Sequence, residues 1–375
     1  MPLQTQPAPK YRQIYAHLRE AIRSGRYSTG QRLPSEAQLV KTFETSRITV
    51  NRALRELQTE GLIDRRAGSG SYVRSHSVEG YQLGLLIPGL GQTEIFEPIC
   101  RGMSQAEQSS HHVLLWGKSL AESEFDTLHV RDICAQLIGK QVSGVFFAPL
   151  ELTPERDAIN RFIVEQFDRA RIPVVLLDRD LVPYPGRSKY DLVGIDNRRA
   201  GHVITAHLMA AGCKRIAFVA RPESAPTVDA RALGYREALQ EAGWEFDPHL
   251  VCRVDPTNST DIQAVLKRTR ADGIVCANDI TAAQLMRTLQ ELGVDVPEKI
   301  RITGIDDVKY ASLLPVPLTT IHQPCADIGK MAIAATVHRL QNPGLPAQDI
   351  LLNFRLVVRE SCGTRVPHDR PQRAS

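Results

Sequence analysis

Short apolar runs alternate with amphipathic helical segments over most of this chain, and this alternation constrains the fold more than any other feature. Eight runs of strand length follow Gln82. They are Leu83–Ile87, Val113–Trp116, Val142–Phe147, Val174–Leu177, Ile216–Ala220, Leu250–Val254, Gly273–Ala277 and Ile300–Ile305. Near-continuous apolar strands separated by helices indicate parallel sheets that are covered on each face. Two series of such strands predict two sheets.

The first 74 residues carry a different pattern, in which apolar positions recur at helical spacing. This spacing predicts a helix that begins at Lys10, and Ser35 with Gln38 three residues later is a capping-box signal for a second helix. A third helix is expected from about Ser46 to a C-terminal cap at Gly61. The residues predicted to form its buried stripe are Val50, Ala53, Leu54 and Leu57.

A short hairpin is expected after the third helix. Leu62-Ile63 and Tyr72-Val73 have strand character, and Gly68-Ser69-Gly70 between them permits a tight reversal. The order helix, helix, helix, hairpin is that of a winged helix-turn-helix. Because the tip at Gly68-Ser69-Gly70 has little bulk, its backbone can approach a sugar-phosphate chain closely.

The N-terminal segment is also the basic part of the chain. Residues 1–74 contain thirteen Lys and Arg side chains against six acids, whereas the net charge of the whole chain is only +4. This asymmetry indicates a polyanionic partner for the first segment. On a helical wheel, Asn51 and Arg52 point away from the buried stripe and Arg47 flanks the first turn. Such side chains contact base edges and phosphates in the major groove.

Changes in composition predict the domain boundaries. The expected segments are a disordered N-terminus at 1–9, a winged helix-turn-helix at 10–74, a polar linker at 75–81, a sensor domain at 82–362 and a disordered tail at 363–375. Within the sensor we expect one subdomain at about 82–190 and 322–345, and a second at about 191–321 and 346–362.

Four motifs in the N-terminal segment resemble the signature of the GntR family of bacterial winged-helix regulators. They are Leu33–Glu36, Ser46–Val50, Leu57–Ile63 and Gly68–Val73. The resemblance implies DNA contact by Ser46, Arg47, Thr49 and the wing at Gly68. Together with the exposed face of the third helix, the expected DNA-binding residues are Glu36, Ser46, Arg47, Thr49, Asn51, Arg52, Gly68, Ser69 and Gly70.

The sensor domain is similar to the effector domain of the LacI/GalR family, which is related to periplasmic sugar-binding proteins. The similarity rests on Val174–Arg179, Arg231–Tyr235, Ala277–Asp279 and Thr303–Asp307. It implies that a small molecule lies between two subdomains. The residues expected to bind it are Phe96, Asp178, Arg179, Arg231, Asn278 and Asp306. Carboxylates accept hydrogen bonds from hydroxyl groups, and amide and guanidinium groups donate hydrogen bonds to hydroxyl oxygens. These residues therefore suit a sugar.

Two of these residues have a further interpretation. An Asn just after a strand often caps the next helix, so Asn278 is either a cap or a ligand. Arg231 is expected at the start of a helix, where the helix dipole disfavours a cation. A ligand or carboxylate opposite Arg231 would explain its position, which makes Arg231 the strongest single candidate.

The predicted fold class is therefore α/β, with an N-terminal winged helix-turn-helix and a two-subdomain, periplasmic-binding-protein-like sensor built on parallel sheets. This combination is similar to the arabinose-responsive repressors of some bacteria, so L-arabinose is the first candidate effector. We predict a homodimer that binds double-stranded operator DNA, and our hypothesis is that binding of the sugar releases it.

Other functional classes fit the sequence less well. In a doubly wound enzyme, Gly89-Leu90-Gly91 could begin a dinucleotide fingerprint, but Glu94 stands where the third glycine is required. His111-His112 has no partners at metal-ligand spacing. We therefore predict no catalytic residue, cofactor or metal. A sugar-binding protein without a DNA role remains an alternative, although no signal-peptide or membrane-span pattern is present. The seven scattered cysteines favour reduced thiols in the cytoplasm.

Overall fold

A computed structural model describes residues 9–23, 26–27, 30–59, 62–66, 69–73, 81–87, 94–106, 112–116 and 127–364. Most of the predicted N-terminal tail, linker and C-terminal tail lie outside these residues, as do Gly61 and Gly68. The chain divides into two compact units, Met1–Gly80 and Tyr81–Ser375. No helix in the described ranges has the length and apolar character needed to cross a membrane.

The N-terminal unit has three helices and a hairpin, as the sequence predicts. Its elements are α1 (Lys10–Arg23), α2 (Glu36–Phe43), α3 (Arg47–Thr59), β1 (Ile63–Arg66) and β2 (Gly70–Val73). The capping box is present, since Ser35 Oγ accepts from the Gln38 N–H at 3.2 Å and Gln38 Oε1 accepts from the Ser35 N–H at 2.8 Å. The predicted stripe of α3 is confirmed, because its four residues are its buried ones.

The C-terminal unit contains two lobes, each built around a six-stranded sheet. The first lobe consists of β3 (Gln82–Leu86), α4 (Phe96–Gln105), β4 (Val113–Trp116), α5 (Thr127–Gly139), β5 (Gly144–Phe147), α6 (Arg156–Arg169), β6 (Val174–Leu177), β7 (Asp191–Ile195), α11 (Cys325–Gln341) and β13 (Asp349–Leu352). Its strands are parallel in the order β13-β7-β6-β5-β3-β4.

The second lobe repeats this plan with one antiparallel edge strand. It consists of α7 (Asn197–Ala210), β8 (Ile216–Ala220), α8 (Pro226–Glu241), β9 (Val251–Arg253), α9 (Ser259–Thr269), β10 (Gly273–Cys276), α10 (Asp279–Glu291), β11 (Arg301–Asp306), β12 (Thr319–His322) and β14 (Arg355–Val357). The sheet order is β14-β12-β11-β10-β8-β9, with β14 antiparallel to β12. The two predicted parallel sheets are therefore present.

The predicted division between the subdomains is wrong in two places. Strand β7 pairs with β6 and strand β13 pairs with β7, so residues 191–195 and 349–352 belong to the first lobe. A buried ion pair holds this edge in place, because Arg339 of α11 donates to the two carboxylate oxygens of Asp191, each at 2.7 Å. The described chain passes between the lobes after β7, after β12 and after β13.

Candidate functional site

The first turn of α3 presents polar groups and one apolar side chain to solvent. Arg47 is exposed and has no hydrogen-bond or ion-pair partner among the described residues, while Ile48 is 82% exposed. Ser46 Oγ lies 3.0 Å from Thr49 Oγ1 and also accepts from the Thr49 N–H at 3.3 Å. This arrangement orders the start of α3 and leaves the Arg47 guanidinium available to an anion.

Glu36 and Asn51, two of the expected DNA contacts, bond to each other and to a third residue that the sequence did not single out. The Arg65 guanidinium of β1 donates to Glu36 Oε1 at 2.6 Å and to Asn51 Oδ1 at 2.7 Å. The Asn51 amide donates to Glu36 Oε2 at 3.2 Å. This network ties α2, α3 and the hairpin together, so it fixes the orientation of the exposed face.

Arg52 is held by a residue of α1 and by a residue in the next turn of α3. Its guanidinium lies 3.8 Å from the centroid of the Tyr11 ring and its Nε lies 3.6 Å from Glu56 Oε1. The side chain nevertheless remains 62% exposed. Arg52 can therefore contact a phosphate at the edge of the surface, but its position is set by α1.

The described part of the wing is compact. Ser69 Oγ lies 2.8 Å from the Tyr72 hydroxyl, and Gly70 has a φ of 121°, which an L side chain rarely adopts. A Cβ at Gly70 would lie 2.8 Å from Arg32 Nε. The expected contact at Gly68 lies outside the described residues. Gly70 is thus required by the backbone, whatever its role towards DNA.

A second cluster of polar residues lies where strands of the two lobes end, as ligand sites of open parallel sheets do. Asp178 follows β6 of the first lobe, and Asp306 ends β11 of the second. Arg231, in the second turn of α8, contacts Asp306: its NH2 lies 3.6 Å from Asp306 Oδ1, and its Nε donates to Asn197 Oδ1 at 2.8 Å. Asp178, Arg231 and Asp306 are almost completely buried. We call these three residues, together with Glu151, Arg179 and Gln323, the effector cleft.

The first-lobe wall of the effector cleft is an ion-pair network over an aromatic ring. Arg179 pairs with Glu151 and lies with its Nε 3.4 Å from Asp178 Oδ2. Its guanidinium lies 5.3 Å from the centroid of Phe96, which is the buried first residue of α4. The Arg179 guanidinium therefore packs against the Phe96 ring.

Glu151 also links the two lobes. Its Oε2 accepts from the Ala225 N–H of the second lobe at 3.0 Å. Nearby, Arg156 of α6 donates to the Ser224 carbonyl at 2.7 Å. The lobes thus touch along this side of the effector cleft. Although burial alone would raise the pKa of Glu151, the Arg179 guanidinium and the Ala225 N–H hold that pKa below its usual range.

Asn278 is a helix cap in this structure. Its Oδ1 accepts from the Thr281 N–H at 3.0 Å, which is the N-cap bond of α10. The neighbouring Asp279 is also structural, because it accepts from the Thr320 hydroxyl at 2.6 Å and from the Val308 N–H at 3.0 Å. Of the two roles left open for Asn278, the cap is therefore observed.

Sequence reasoning missed Gln323, which belongs to the same cluster. It lies where the chain leaves β12, is 2% exposed, and donates from Nε2 to Asp306 Oδ1 at 2.7 Å. Among the described residues, five buried side-chain atoms lack a hydrogen-bond partner, and three of them lie in this cluster: the acceptors Gln323 Oε1 and Asp178 Oδ1 and the donor Arg179 Nε. Buried polar atoms normally have a partner, so three of them in one cluster suit a ligand that both donates and accepts hydrogen bonds, as a hydroxyl group does.

The carboxyl of Asp306 is strongly perturbed. Burial raises its pKa to about 8, against the lowering influence of Arg231, and the neighbouring Asp279 and Asp178 carboxylates add to the rise. Burial likewise raises the pKa of Asp178. The effector cleft thus holds carboxyl groups that gain from hydrogen-bond donors. Among the described residues, no group of three or more His, Cys, Asp or Glu could hold a metal ion.

Comparison with known protein families gives two matches along the chain. Residues 10–73 match the family described as bacterial regulatory proteins, gntR family. Residues 205–362 match the family described as periplasmic binding protein-like domain. The first match covers the N-terminal unit, and the second covers most of the second lobe together with the chain's return through the first.

Two relatives that align over most of this chain are named as transcriptional regulators. The arabinose metabolism transcriptional repressor of Geobacillus stearothermophilus is 25% identical over 366 residues, which cover 94% of this chain and 97% of that protein. The HTH-type transcriptional regulator CelR of Thermobifida fusca is 29% identical over 84% of this chain and 89% of its own.

A solved structure supports the fold independently. A complex of the transcriptional regulator CelR with cellobiose has a TM-score of 0.64 at 23% identity, covering 84% of this chain and 91% of that chain. The predicted fold class is thereby confirmed. The chain is therefore a transcriptional regulator that joins a winged helix-turn-helix domain matching the gntR family to a periplasmic binding protein-like domain.

Proposed function

We propose that this protein is a cytoplasmic repressor that leaves its operator DNA when a sugar binds in the effector cleft. The observation that carries the proposal is the pair of buried acceptors, Asp178 Oδ1 and Gln323 Oε1, which have no donor among the described residues. A polyol supplies such donors at several neighbouring positions. The adjacent Arg179 and Arg231 guanidinium groups can donate to its ring and hydroxyl oxygens.

L-Arabinose is the first candidate for that sugar. The relative from Geobacillus stearothermophilus that aligns over nearly the whole of this chain is named an arabinose metabolism repressor. The residues proposed to bind the sugar are Phe96, Asp178, Arg179, Arg231, Asn278, Asp306 and, from the structure, Gln323. We assign the protein no enzymatic activity, because the relatives that align over most of its length are named transcriptional regulators.

The DNA partner is proposed to be a roughly palindromic operator. The side chains that would meet it are Ser46, Arg47, Thr49, Asn51 and Arg52 of the α3 region, with Glu36 as an orienting residue and the wing at Gly68, Ser69 and Gly70. Arg47 is exposed and unpaired among the described residues, which suits a base or phosphate contact. Two copies of the N-terminal unit would occupy half-sites about one helical turn, or a small multiple of it, apart.

The protein is proposed to act as a homodimer. The edge strand β4 of the first lobe exposes Val113 by 53% and Trp116 by 50%, and an exposed apolar edge needs a partner or a cover. Light scattering should give twice the chain mass of 41.7 kDa. A monomer at micromolar concentration would contradict this part of the proposal.

One experiment tests the whole assignment. Operator DNA is selected from a random duplex pool with the purified protein, and its binding is then followed by fluorescence anisotropy while L-arabinose and other pentoses and hexoses are added. We expect nanomolar binding, of the order of specific regulators, and release by one sugar. If no duplex is selected even at low salt, the proposed binding to operator DNA is wrong. If DNA binds but no sugar releases it, the proposed sugar effector is wrong.

A further inference from the structure

Ile48 is a large apolar side chain that the N-terminal unit exposes to solvent. It is 82% exposed, the highest value among the large hydrophobic side chains of the described residues. It is the second residue of α3, and Arg47 before it is exposed as well. A single exposed isoleucine needs no functional explanation by itself. The argument therefore depends on where Ile48 lies and on what surrounds it.

The place of Ile48 on α3 is that of a base-contacting side chain. At 100° per residue, the buried stripe of Val50, Ala53, Leu54 and Leu57 centres about 190° away from Ile48. Ile48 therefore points directly away from the core of the N-terminal unit. In a helix-turn-helix, the first residues of the recognition helix contact base edges. Ile48 occupies such a position without carrying a hydrogen-bonding group.

Contacts on two sides of α3 fix the direction in which Ile48 points. Asn51, three residues further along the helix, is bonded to Glu36 of α2 and to Arg65 of β1. Arg52 lies against an aromatic ring of α1. An isoleucine in a helix also has one strongly preferred χ1 rotamer, because its Cβ is branched. Ile48 therefore has little conformational freedom to lose when it meets a partner.

The surroundings of Ile48 indicate the chemistry of that partner. Arg47 has no hydrogen-bond or ion-pair partner among the described residues, and Ser46 and Thr49 beside it are polar. An apolar protein surface placed over Ile48 would bury the Arg47 guanidinium without an anion, which is costly. Duplex DNA supplies phosphates for the arginine, and among the base edges of the major groove only thymine carries a methyl group. The basic charge of residues 1–74 favours the same partner.

We propose that Ile48 is a specificity-determining residue, and that it packs against the 5-methyl group of one thymine in the half-site that its α3 occupies. This inference rests on the operator binding proposed above. The side chain of Ile48 cannot form a hydrogen bond, so any other base at this position loses contact area and places a polar edge against hydrocarbon. Arg47 supplies the neighbouring polar contact, so the two adjacent residues recognise different features of the groove.

The test removes the methyl group alone. Each thymine of the selected operator is replaced singly by deoxyuridine, which keeps the base pair and all its hydrogen-bonding groups, and fluorescence anisotropy gives the affinity of the full-length protein. One thymine in each half-site should be sensitive, with a loss of about fourfold, the value expected for one buried methyl group. If no thymine is sensitive, or if the selected half-sites share no thymine, the proposal is wrong while operator binding stands.

Ile48→Ala connects the sensitive thymine to this side chain. Alanine does not reach as far as isoleucine, so the variant should distinguish thymine from deoxyuridine at that position by less than about 1.5-fold, and the two changes together should be non-additive. Operator selection repeated with the variant should lose the preference for thymine at that position only. Because Ile48 is exposed, the variant should unfold at the wild-type temperature.

Leu345→Ala is the control, since it shortens an exposed leucine of the C-terminal unit. It should keep the loss of about fourfold at the sensitive thymine. An equal loss in Ile48→Ala would assign the methyl group to another residue and overturn the proposal. If the wild-type protein selects no duplex at all, the proposed operator binding is itself wrong, and the role of Ile48 falls with it.

Discussion

Arg47 is the residue through which the N-terminal unit can most directly hold DNA. Because its guanidinium is exposed and has no partner among the described residues, Arg47→Ala should weaken operator binding without destabilising the fold. If Arg47 contacts a phosphate, the slope of log affinity against log salt should fall by about one. If it meets a base, the loss should be about 1–3 kcal/mol and specific to one operator position.

The control is Arg287→Ala, which removes an exposed arginine of the C-terminal unit that pairs with Glu291. It should leave operator affinity and its salt slope unchanged. Sugar binding should be the same in the wild type and in each variant. An Arg47→Ala protein with wild-type operator affinity at several salt concentrations would remove α3 from the proposed interface.

Asp306 makes the stability of the sensor depend on pH. Its pKa is about 8 in the folded protein, mainly because of burial, against a reference value of 3.8. Between these values the folded state keeps a proton that the unfolded state has lost, so the group destabilises the fold increasingly as the pH rises from about 4 to about 8. Asp306→Asn should therefore gain stability relative to wild type across this window, by of order 1 kcal/mol per pH unit.

Urea unfolding followed by tryptophan fluorescence measures this difference, since Trp116 and Trp244, the chain's two tryptophans, lie in the C-terminal unit. Asp295→Asn, at a largely exposed carboxylate, serves as the control and should follow the wild-type pH dependence. A stability difference between Asp306→Asn and wild type that stays constant from pH 5 to pH 8 would contradict the perturbed carboxyl. The same variant should weaken sugar binding most above about pH 8, because only there does it replace an ionised carboxylate of the effector cleft.

Single residues show where sequence reasoning succeeds and where it stops. Asp178, Arg231 and Asp306 were expected together because each belongs to a recognisable motif, and the structure brings them into one cluster. Gln323 and Glu151 have no such signal: each is a polar residue whose role comes from a partner far away in the chain. Arg65 was missed for the same reason, since its partners Glu36 and Asn51 come from two other elements.

At the scale of elements, α4 and α11 pack unusually closely. A Cβ at Gly329 of α11 would lie 2.0 Å from the Ile99 carbonyl oxygen of α4, and one at Gly102 of α4 would lie 1.9 Å from the Ala326 carbonyl oxygen of α11. Because both carbonyl oxygens belong to helix backbone, they can move away from a Cβ only if a whole helix shifts. The contact brings together the starts of α4 and α11, which line the groove between the two lobes.

Gly329→Ala should therefore destabilise the sensor by about 3 kcal/mol, because one helix must shift to admit the methyl group. Gly344→Ala is the control, since a Cβ there would meet no atom within 4 Å. Thermal unfolding and urea unfolding measure the two variants. An unfolding free energy of Gly329→Ala within 0.5 kcal/mol of the control would mean that the helices separate at little cost.

The strands differ in how clearly their sequences predict them. Val174–Leu177 and Ile216–Ala220 are continuous apolar runs buried on all sides, and the predicted bounds agree with the observed ones. Strand β7 was missed because it begins with Asp191 and contains Gly194, and its stability comes from Arg339 of α11. Strand β13 lies at a sheet edge with alternating exposure, so its short sequence resembles a loop.

For the whole molecule, the proposed mechanism requires the DNA site and the sugar site to be coupled. If the sugar favours a DNA-free form, then operator DNA must lower the sugar affinity by the same factor by which the sugar lowers operator affinity. We expect this factor to be of the order of 5–150, as in other allosteric proteins. Titration calorimetry with and without operator gives one side of the comparison, and anisotropy with and without sugar gives the other. Equal sugar affinities in the two titrations would rule out release by the sugar.

The overall architecture was predictable because its parts have local signals, whereas the boundary between the lobes was not. Helical periodicity and a dense set of motifs define the N-terminal unit, and apolar runs define the parallel sheets. The return of β13 to the first lobe depends on pairing with β7, which is far away in sequence. Such long-range pairing produces no periodic pattern of apolar residues in the sequence of β13.

That return of β13 also determines the order in which the newly made chain can fold. The core of the N-terminal unit uses residues between Ile14 and Val73, so it can form soon after these residues leave the ribosome. The first lobe, in contrast, stays incomplete until α11 and residues 349–352 have been synthesised. A chain cut short before residue 349 would contain the whole DNA-binding unit but no finished sensor. Such a fragment would lack the finished first lobe, so control of the N-terminal unit by a sugar requires synthesis of the chain through residue 352.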